Sequence, residues 1–303
     1  MKRIVSLTLG GLIIVTVSAM AWQHERYAQA RRDLVQDYQD LFHGEVFHVL
    51  TFIDAVDNAD LLADLRTVRD AMARHGKGQL VYAGKVIYNG LASEGLDAAM
   101  GRSLEWDAVI LQQFDSRDDY ADYLREPAIQ AAFEPFPATY AHGFRRSAGT
   151  NLALPQVLLA TKIARALTLA DSPLPFEDGN PDEGMEFPDI GPALLAEADG
   201  LGRDAVLIVN LIQEGDSTAQ SANANYANNM LGLMADAAHG PLHVGLAESI
   251  DHPVPFDSVA LVYYPGSRYF RDLIMSRWYQ ALYPDKQLAD TLSCVTVPIT
   301  DLL

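Results

Sequence analysis

Two histidines are the residues of this sequence best suited to acid-base chemistry. His142 lies in the segment Thr139–Ala148 and His243 lies in Pro241–Ile250, and both segments have the pattern of a β-strand. Because imidazole titrates near neutral pH, it can take a proton from a bound molecule and return it. We therefore expect His142 and His243 to be the catalytic residues if the protein is an enzyme, a question that the sequence leaves open.

Other side chains in the predicted strands can form hydrogen bonds with a bound molecule. Each stands among apolar neighbours, so a structural position inside a strand is the alternative to contact with a ligand. Alternation along a strand puts every second side chain on one face, but it does not decide which face is the inner one. The predicted ligand-binding residues are Thr51, Tyr82, Gln113, Asn210 and Tyr263.

No motif for a metal or a cofactor accompanies these residues. The sequence contains no HExxH, GxGxxG or GxxxxGK[ST] pattern. Its single cysteine, Cys294, lies in the apolar run Leu292–Ile299, so neither an internal disulfide nor a CxxC site can form. We expect no bound metal and no dedicated cofactor.

The elements that would position these residues occur twice along the chain. Two segments of the sequence have a similar pattern: "WDAVILQQFDSRDDYADYL" (Trp106–Leu124) and "FDSVALVYYPGSRYFRDLI" (Phe256–Ile274). Around each copy the apolar periodicity predicts the order βαββαβ, which is that of a ferredoxin-like unit. In this alignment Thr51 matches Asn210, and Gln113 matches Tyr263. The repeat therefore predicts a tandem internal duplication.

Two such units predict an α+β fold closed into a barrel. A ferredoxin-like sheet is covered by helices on one face and leaves the other face apolar and bare. Joining the two bare faces buries both and gives one pseudo-symmetric α+β barrel. We expect the predicted site residues to line the interior of this barrel.

Two longer phrases carry a resemblance to a known family. "FDSRDDYADYLREPAIQAAFEP" and "YPGSRYFRDLIMSRWYQALYP" resemble the dimeric α+β barrel superfamily, especially its small domains of unknown function. The resemblance covers Glu45–Ala148 and Arg203–Ile299. The superfamily includes cofactor-free monooxygenases, lactone isomerases, haem enzymes and proteins without known activity, so the resemblance implies a fold and leaves the function open.

The N-terminal residues predict a membrane anchor. Lys2 and Arg3 precede an uncharged stretch of 19 residues, Ile4–Trp22, which is long enough to span a bilayer as a helix. Cations before the span favour a bacterial-type inner-membrane protein with its body on the exported, periplasmic side. The alternative is a signal peptide cleaved near Ala21, which would give a secreted protein.

These observations divide the chain into five parts. They are an anchor or signal peptide (1–22), a helical connector (23–44), the first unit (45–148), an extension with a linker (149–202) and the second unit (203–303). The segment Asp171–Ile190 has seven acids and four prolines, as a solvated linker does. The pattern of Asn151–Leu169 fits either a helix or an edge strand of the first sheet.

Charge and composition restrict the function. The net charge of −18 argues against nucleic-acid binding, which requires cations to contact phosphates. The leading hypothesis is a membrane-anchored exported protein that binds or transforms a small apolar molecule inside the barrel. The alternative is a non-catalytic accessory or structural subunit that docks on a membrane protein complex.

Overall fold

One closed sheet organises the part of the chain that the structure describes. The computed structural model describes residues 17–22, 25, 46–55, 60–103, 105–146, 148–179, 195–196, 205–237, 239–250 and 254–303. The strands are β1 (Val46–Asp54), β2 (Gly78–Leu91), β3 (Ala108–Phe114), β4 (Ala138–Arg146), β5 (Val206–Gln213), β6 (Gly240–Ser249), β7 (Ser258–Tyr264) and β8 (Asp290–Pro298). They form an antiparallel barrel in the order β1-β3-β2-β8-β5-β7-β6-β4.

Helices connect these strands and cover the outside of the barrel. They are α1 (Leu61–His75), α2 (Glu94–Met100), α3 (Arg117–Arg125), α4 (Pro127–Phe133), α5 (Ala148–Thr168), α6 (Ser217–Ala237), α7 (Ser267–Ile274) and α8 (Arg277–Leu282). The predicted fold class, an α+β fold with an eight-stranded antiparallel barrel, is therefore confirmed.

The two halves have the same strand order and meet at two seams. Reading along the barrel, the first half is β4-β1-β3-β2 and the second is β8-β5-β7-β6, which is the ferredoxin-like order in both. Strand β2 pairs with β8 at one seam, and β4 pairs with β6 at the other. Because both seams are antiparallel ladders, the sheet has no free edge between the halves.

Local sequence explains where the helices of the first half begin and end. The Ser116 hydroxyl accepts a hydrogen bond from the Asp119 backbone N–H at 3.1 Å, which caps the start of α3. Helix α1 ends at Gly76, whose φ of 78° is a left-handed C-cap. Its buried residues repeat at helical spacing and pack on the sheet; they are Leu61, Leu65, Val68, Ala71 and Met72.

Two elements differ from the sequence interpretation, and the structure decides one alternative that the sequence left open. The sequence does not predict helix α2. Ser93 caps its first turn, and Leu96 is its buried residue. The single helix that the βαββαβ order predicts after β7 is divided into α7 and α8, because the Ser276 hydroxyl accepts from the Tyr279 N–H at 3.1 Å and starts α8. The ambiguous segment Asn151–Leu169 is almost wholly helical, as α5, and adds no strand to the sheet.

Buried side chains from both halves fill the barrel axis. They form one apolar cluster that includes Leu50, Phe52, Tyr140, Phe144, Leu207, Val209, Leu261 and Leu292. A second cluster lies between the first-half strands and α1, α3 and α4, and a third lies between the second-half strands and α6, α7 and α8. The molecule therefore has a central core and two outer helix layers.

The predicted anchor lies largely outside the described residues. Of Ile4–Trp22, the structure describes residues 17–22 as helix. Among the residues that are described, no helix has both the length and the apolar character required to cross a bilayer. Anchor and export therefore remain predictions from the sequence.

The β4–β6 seam makes Gly245 a sensitive position. A Cβ atom at Gly245 would overlap the backbone carbonyl oxygen of Arg145 and lie 2.7 Å from Cδ2 of Phe144. We expect Gly245→Val to lower the free energy of unfolding by about 1–3 kcal/mol because overpacking forces the backbone to move. The neighbouring change Leu246→Val, at a residue that is 76% exposed, should have little effect. Equal midpoints of urea denaturation for the two variants would contradict this packing.

Candidate ligand-binding cavity

Five of the seven predicted site residues face the barrel axis. Tyr82 belongs to the central cluster, Tyr263 packs against it, and Gln113 lies in phase with Leu111 of that cluster. The ring of His142 lies against Tyr140, and the ring of His243 lies 5.3 Å from that of His48. The space around these residues is occupied by neighbouring side chains.

Thr51 and Asn210 face the opposite side of the sheet, towards the helices. They occupy equivalent positions, since Thr51 pairs with Ile110 in the first half and Asn210 pairs with Ala260 in the second. They do not meet, because each lies in the helix layer of its own half. The seven residues thus do not form one site.

Burial makes His142 a weak base. The Tyr140 hydroxyl and Nδ1 of His142 are hydrogen bonded at 3.0 Å, and the Nε2 atom makes no hydrogen bond to the described residues. Desolvation lowers the pKa of His142 from 6.5 to about 4, because the apolar surroundings penalise the imidazolium. His142 is therefore neutral at pH 7 and far from the pKa that suits proton transfer at that pH.

Other polar side chains in the barrel interior form hydrogen bonds or stack on neighbouring rings. The Thr296 hydroxyl donates to the Leu207 carbonyl at 2.8 Å, so the Tyr82 hydroxyl is the donor in its 2.7 Å hydrogen bond to Thr296. The ring of His48 stacks on that of Phe144 at 5.0 Å. In the described residues, no group of three or more His, Cys, Asp or Glu side chains is placed to hold a metal ion.

A cavity of about 450 Å³ lies in the helix layer of the second half. Its floor is the outer face of β5, β7 and β8, and its walls come from α6, α7, α8 and the end of β2. Its size is in the range of small-molecule sites. The apolar residues around it include Ile208, Ile212, Met230, Leu231, Met234, Ala260, Val262 and Ile274.

Smaller side chains explain why this layer is open at positions where the first-half layer is filled. By strand register, Ile110 in the first half corresponds to Ala260, and Gln112 corresponds to Val262. In the first half Thr51 donates to Gln112 at 3.2 Å, and Gln112 donates to the Tyr123 hydroxyl at 2.8 Å, so a hydrogen-bonded chain fills the layer. The second half has apolar and shorter side chains at those positions, and the space remains empty.

Helix α6 also leaves room over the sheet. Its sequence "ANANYANN" presents short side chains where α1 presents Leu, Val and Met. Ala227 and Asn228 line the cavity and are exposed to solvent, so the cavity opens beside them. The small residues of α6 thus provide both volume and an entrance.

Few polar groups point into this apolar space. The Ser293 hydroxyl donates to Oδ1 of Asn210 at 3.0 Å, and Nδ2 of Asn210 donates to the Ala260 carbonyl at 3.3 Å. These two side chains form a polar strip on the floor. Of the predicted ligand-binding residues, Asn210 is the one that lines the cavity.

Lys286 is the charged residue in the described cavity lining. Its Nζ atom lies 6.0 Å from the centre of the Tyr226 ring. In the described part of the chain, no carboxylate forms an ion pair with this half-buried ammonium. Desolvation lowers the pKa of Lys286 to about 8, so most of the side chain is charged at pH 7.

Tyrosines around Lys286 stay neutral. Burial raises the pKa of Tyr226, Tyr279 and Tyr264, so none of their hydroxyls compensates the ammonium charge. The hydroxyls of Tyr226 and Tyr279 lie 3.4 Å apart. The cavity therefore combines apolar walls, aromatic rings and one positive charge.

Sequence reasoning missed Lys286, Tyr226 and Ser293. Lys286 follows the turn Tyr283–Asp285 and has no motif around it. The available sequence signal was the run of small residues in α6. These residues predict a weak helix, and their side chains are too short to fill the space between the helix and the sheet.

The buried state of His142 predicts a specific loss of stability in acid. Its pKa is lower in the folded state than the 6.5 of an exposed histidine, so the unfolded chain takes up the proton first as the pH falls. From this residue we expect a loss of about 3 kcal/mol between pH 6.5 and 4, and no further loss below pH 4. Urea denaturation at several pH values measures this loss.

His142→Gln should remove that part of the pH dependence, whereas the control His75→Gln, at the end of α1, should retain it. Equal slopes of unfolding free energy against pH for the His142→Gln variant and the unmodified protein would contradict the environment described for His142.

Similarity to known proteins is confined to weak structural likeness. No protein-family model matches the sequence, and no curated protein matches it significantly.

A proposed monooxygenase from Fusobacterium nucleatum aligns at 7% identity with a TM-score of 0.40, covering 86% of this chain and 94% of the other. A second from Lactobacillus acidophilus aligns at 8% identity and TM-score 0.38, over 85% and 95%. A mutant chlorite dismutase from Candidatus Nitrospira defluvii aligns at 11% identity and TM-score 0.41, over 88% and 96%. Likeness at this level carries no statement about activity, and the description of the fold rests on the strand order of this chain.

Proposed function

We propose that the protein binds a small, largely apolar molecule that carries one acidic group, in the cavity of the second half. The observation that carries the proposal is Lys286, a half-buried ammonium without a carboxylate partner in the described residues, in a cavity of about 450 Å³. A buried charge is costly unless it is paired. A ligand anion supplies the partner that the described protein residues do not.

The cavity walls determine the polarity of the rest of the ligand. Apolar side chains and tyrosine rings surround the space, so most of the bound surface must be apolar or aromatic. Asn210 and Ser293 can form hydrogen bonds with a ligand at the floor of the cavity, which the strands form and which lies across the cavity from the helices. The cavity thus fits an aromatic or branched apolar acid better than a sugar or a nucleotide.

If the bound molecule is also transformed, Lys286 is the group placed to act on it. Its lowered pKa leaves a minor fraction as the free amine at pH 7, which can accept a proton from the ligand. No dedicated cofactor enters this proposal. The barrel histidines take no part in this binding.

The sequence supports further proposals about the whole chain. We infer that the two halves descend from one duplicated unit, because sequence phrases and strand order repeat together. We also propose that Ile4–Trp22 anchors an exported body to a membrane. The alternative function, a non-catalytic accessory subunit, is favoured only by the exposed apolar surface of α5.

A pair of probes that differ in charge tests the binding proposal. We expect 2-naphthoate to bind at least about tenfold more tightly than 2-naphthalenemethanol, since a charge-assisted hydrogen bond contributes about 1.5–3 kcal/mol. Fluorescence anisotropy of the naphthalene group measures both affinities. The affinity for the acid should weaken as the pH rises through about 8, because Lys286 loses its charge.

Lys286→Met should reduce binding of the acid to that of the alcohol and leave the alcohol unchanged. Lys162→Met, at an exposed lysine of α5, is the matched control and should change neither affinity. If Lys286→Met binds both probes as the unmodified protein does, Lys286 does not recognise the ligand.

A second variant tests the location. Ala260 lies on the floor of the cavity, and Ala260→Trp should fill it and abolish binding of both probes. Because the new ring occupies empty space, the unfolding midpoint should change little or rise. Retained binding in a folded Ala260→Trp protein would place the ligand elsewhere.

A further inference from the structure

Most of the large apolar side chains that remain exposed in the described residues lie on two neighbouring segments. The nitrogen Nε2 of Gln156 in α5 donates to the Met20 carbonyl at 2.9 Å, which puts residues 17–22 beside α5. The exposed fractions of these side chains run from 37% to 88%. They form what we call the α5 surface: Val17, Trp22, Val157, Leu159, Ile163, Leu167 and Leu169.

The charge of this region is opposite to that of the whole chain. Residues 148–170 contain Lys162 and Arg165 and no acid, in a chain with 40 acids and a net charge of −18. Arg165 is held by Asp236 of α6, with Nη2 2.9 Å from a carboxylate oxygen. Lys162 is exposed beside the leucines. This acidic chain thus contains a stretch of 23 residues without an acid.

We propose that the α5 surface docks on a phospholipid bilayer, with its leucines in the interfacial region and Lys162 near the phosphates. An exposed helix with apolar residues and a lysine beside them is suited to that region. Trp22 belongs to the same surface, and tryptophan favours the membrane interface. The helical residues 17–22 also end the uncharged run Ile4–Trp22, so the surface is continuous with a segment of bilayer-spanning length.

Docking in this way fixes the orientation of the body. Helix α5 packs on α6 through Arg165 and Asp236, and α6 is a wall of the ligand cavity. The acidic remainder of the protein is repelled by anionic headgroups, which leaves the α5 surface as the face that approaches them. The proposal does not depend on what the cavity binds.

The single cysteine makes a direct test practical. Cys294 is buried, so a cysteine introduced at the surface can be labelled selectively. We would place an environment-sensitive dye on the full chain through Leu167→Cys and, as control, through Leu246→Cys on β6. The two leucines have similar exposed fractions, 79% and 76%. Each protein is reconstituted in phosphatidylcholine vesicles with either ordinary or brominated acyl chains.

Brominated chains quench only a dye that enters the bilayer. We expect several-fold more quenching at position 167 than at position 246. Absence of quenching at both positions, in protein that floats with the vesicles, would show that the α5 surface does not touch lipid. Equal quenching at both would show nonspecific adsorption, and a dye change at 167 that follows protein concentration without vesicles would identify a protein–protein surface. Each of these three results overturns the proposal.

Discussion

Closure of the sheet by its two seams is the constraint on which the rest of the structure depends. Each half leaves one apolar sheet face uncovered, and pairing β2 with β8 and β4 with β6 turns both faces inward. The axis then fills with side chains from both halves. Room for a ligand must arise in a helix layer, where the packing of one half can change without opening the barrel.

The two helix layers show how such room arises. Both are built on the same strand order, yet Gln112 and Tyr123 fill the first layer, and Ala260 and Val262 leave the second open. A helix of short side chains lies over the second sheet. Lys286 lies in this apolar space, and among the described residues no carboxylate pairs with its charge; the proposed ligand anion would supply that partner. The first layer is filled at these positions, and the second layer contains the cavity.

Periodicity and repetition in the sequence were sufficient to predict the α+β barrel. Apolar alternation and turn residues are local signals, and they determine the order of strands and helices along the chain. The site was harder to predict. His142 and Tyr82 attract attention as polar residues in strands, but which face of a strand is inner depends on closure, and their surroundings are packed. Asn210 was identified because it repeats Thr51. Lys286 lies in an irregular turn, and its burial arises from contacts distant in sequence.

A crystal structure of the protein with 2-naphthoate would show whether an apolar acid binds beside Lys286 in the second-half cavity. We expect the naphthalene ring between α6 and the outer face of β5, β7 and β8, with its carboxylate within hydrogen-bonding distance of Nζ of Lys286. A ring bound in the barrel axis beside His142 and His243, or a carboxylate that makes no contact with Lys286, would contradict it.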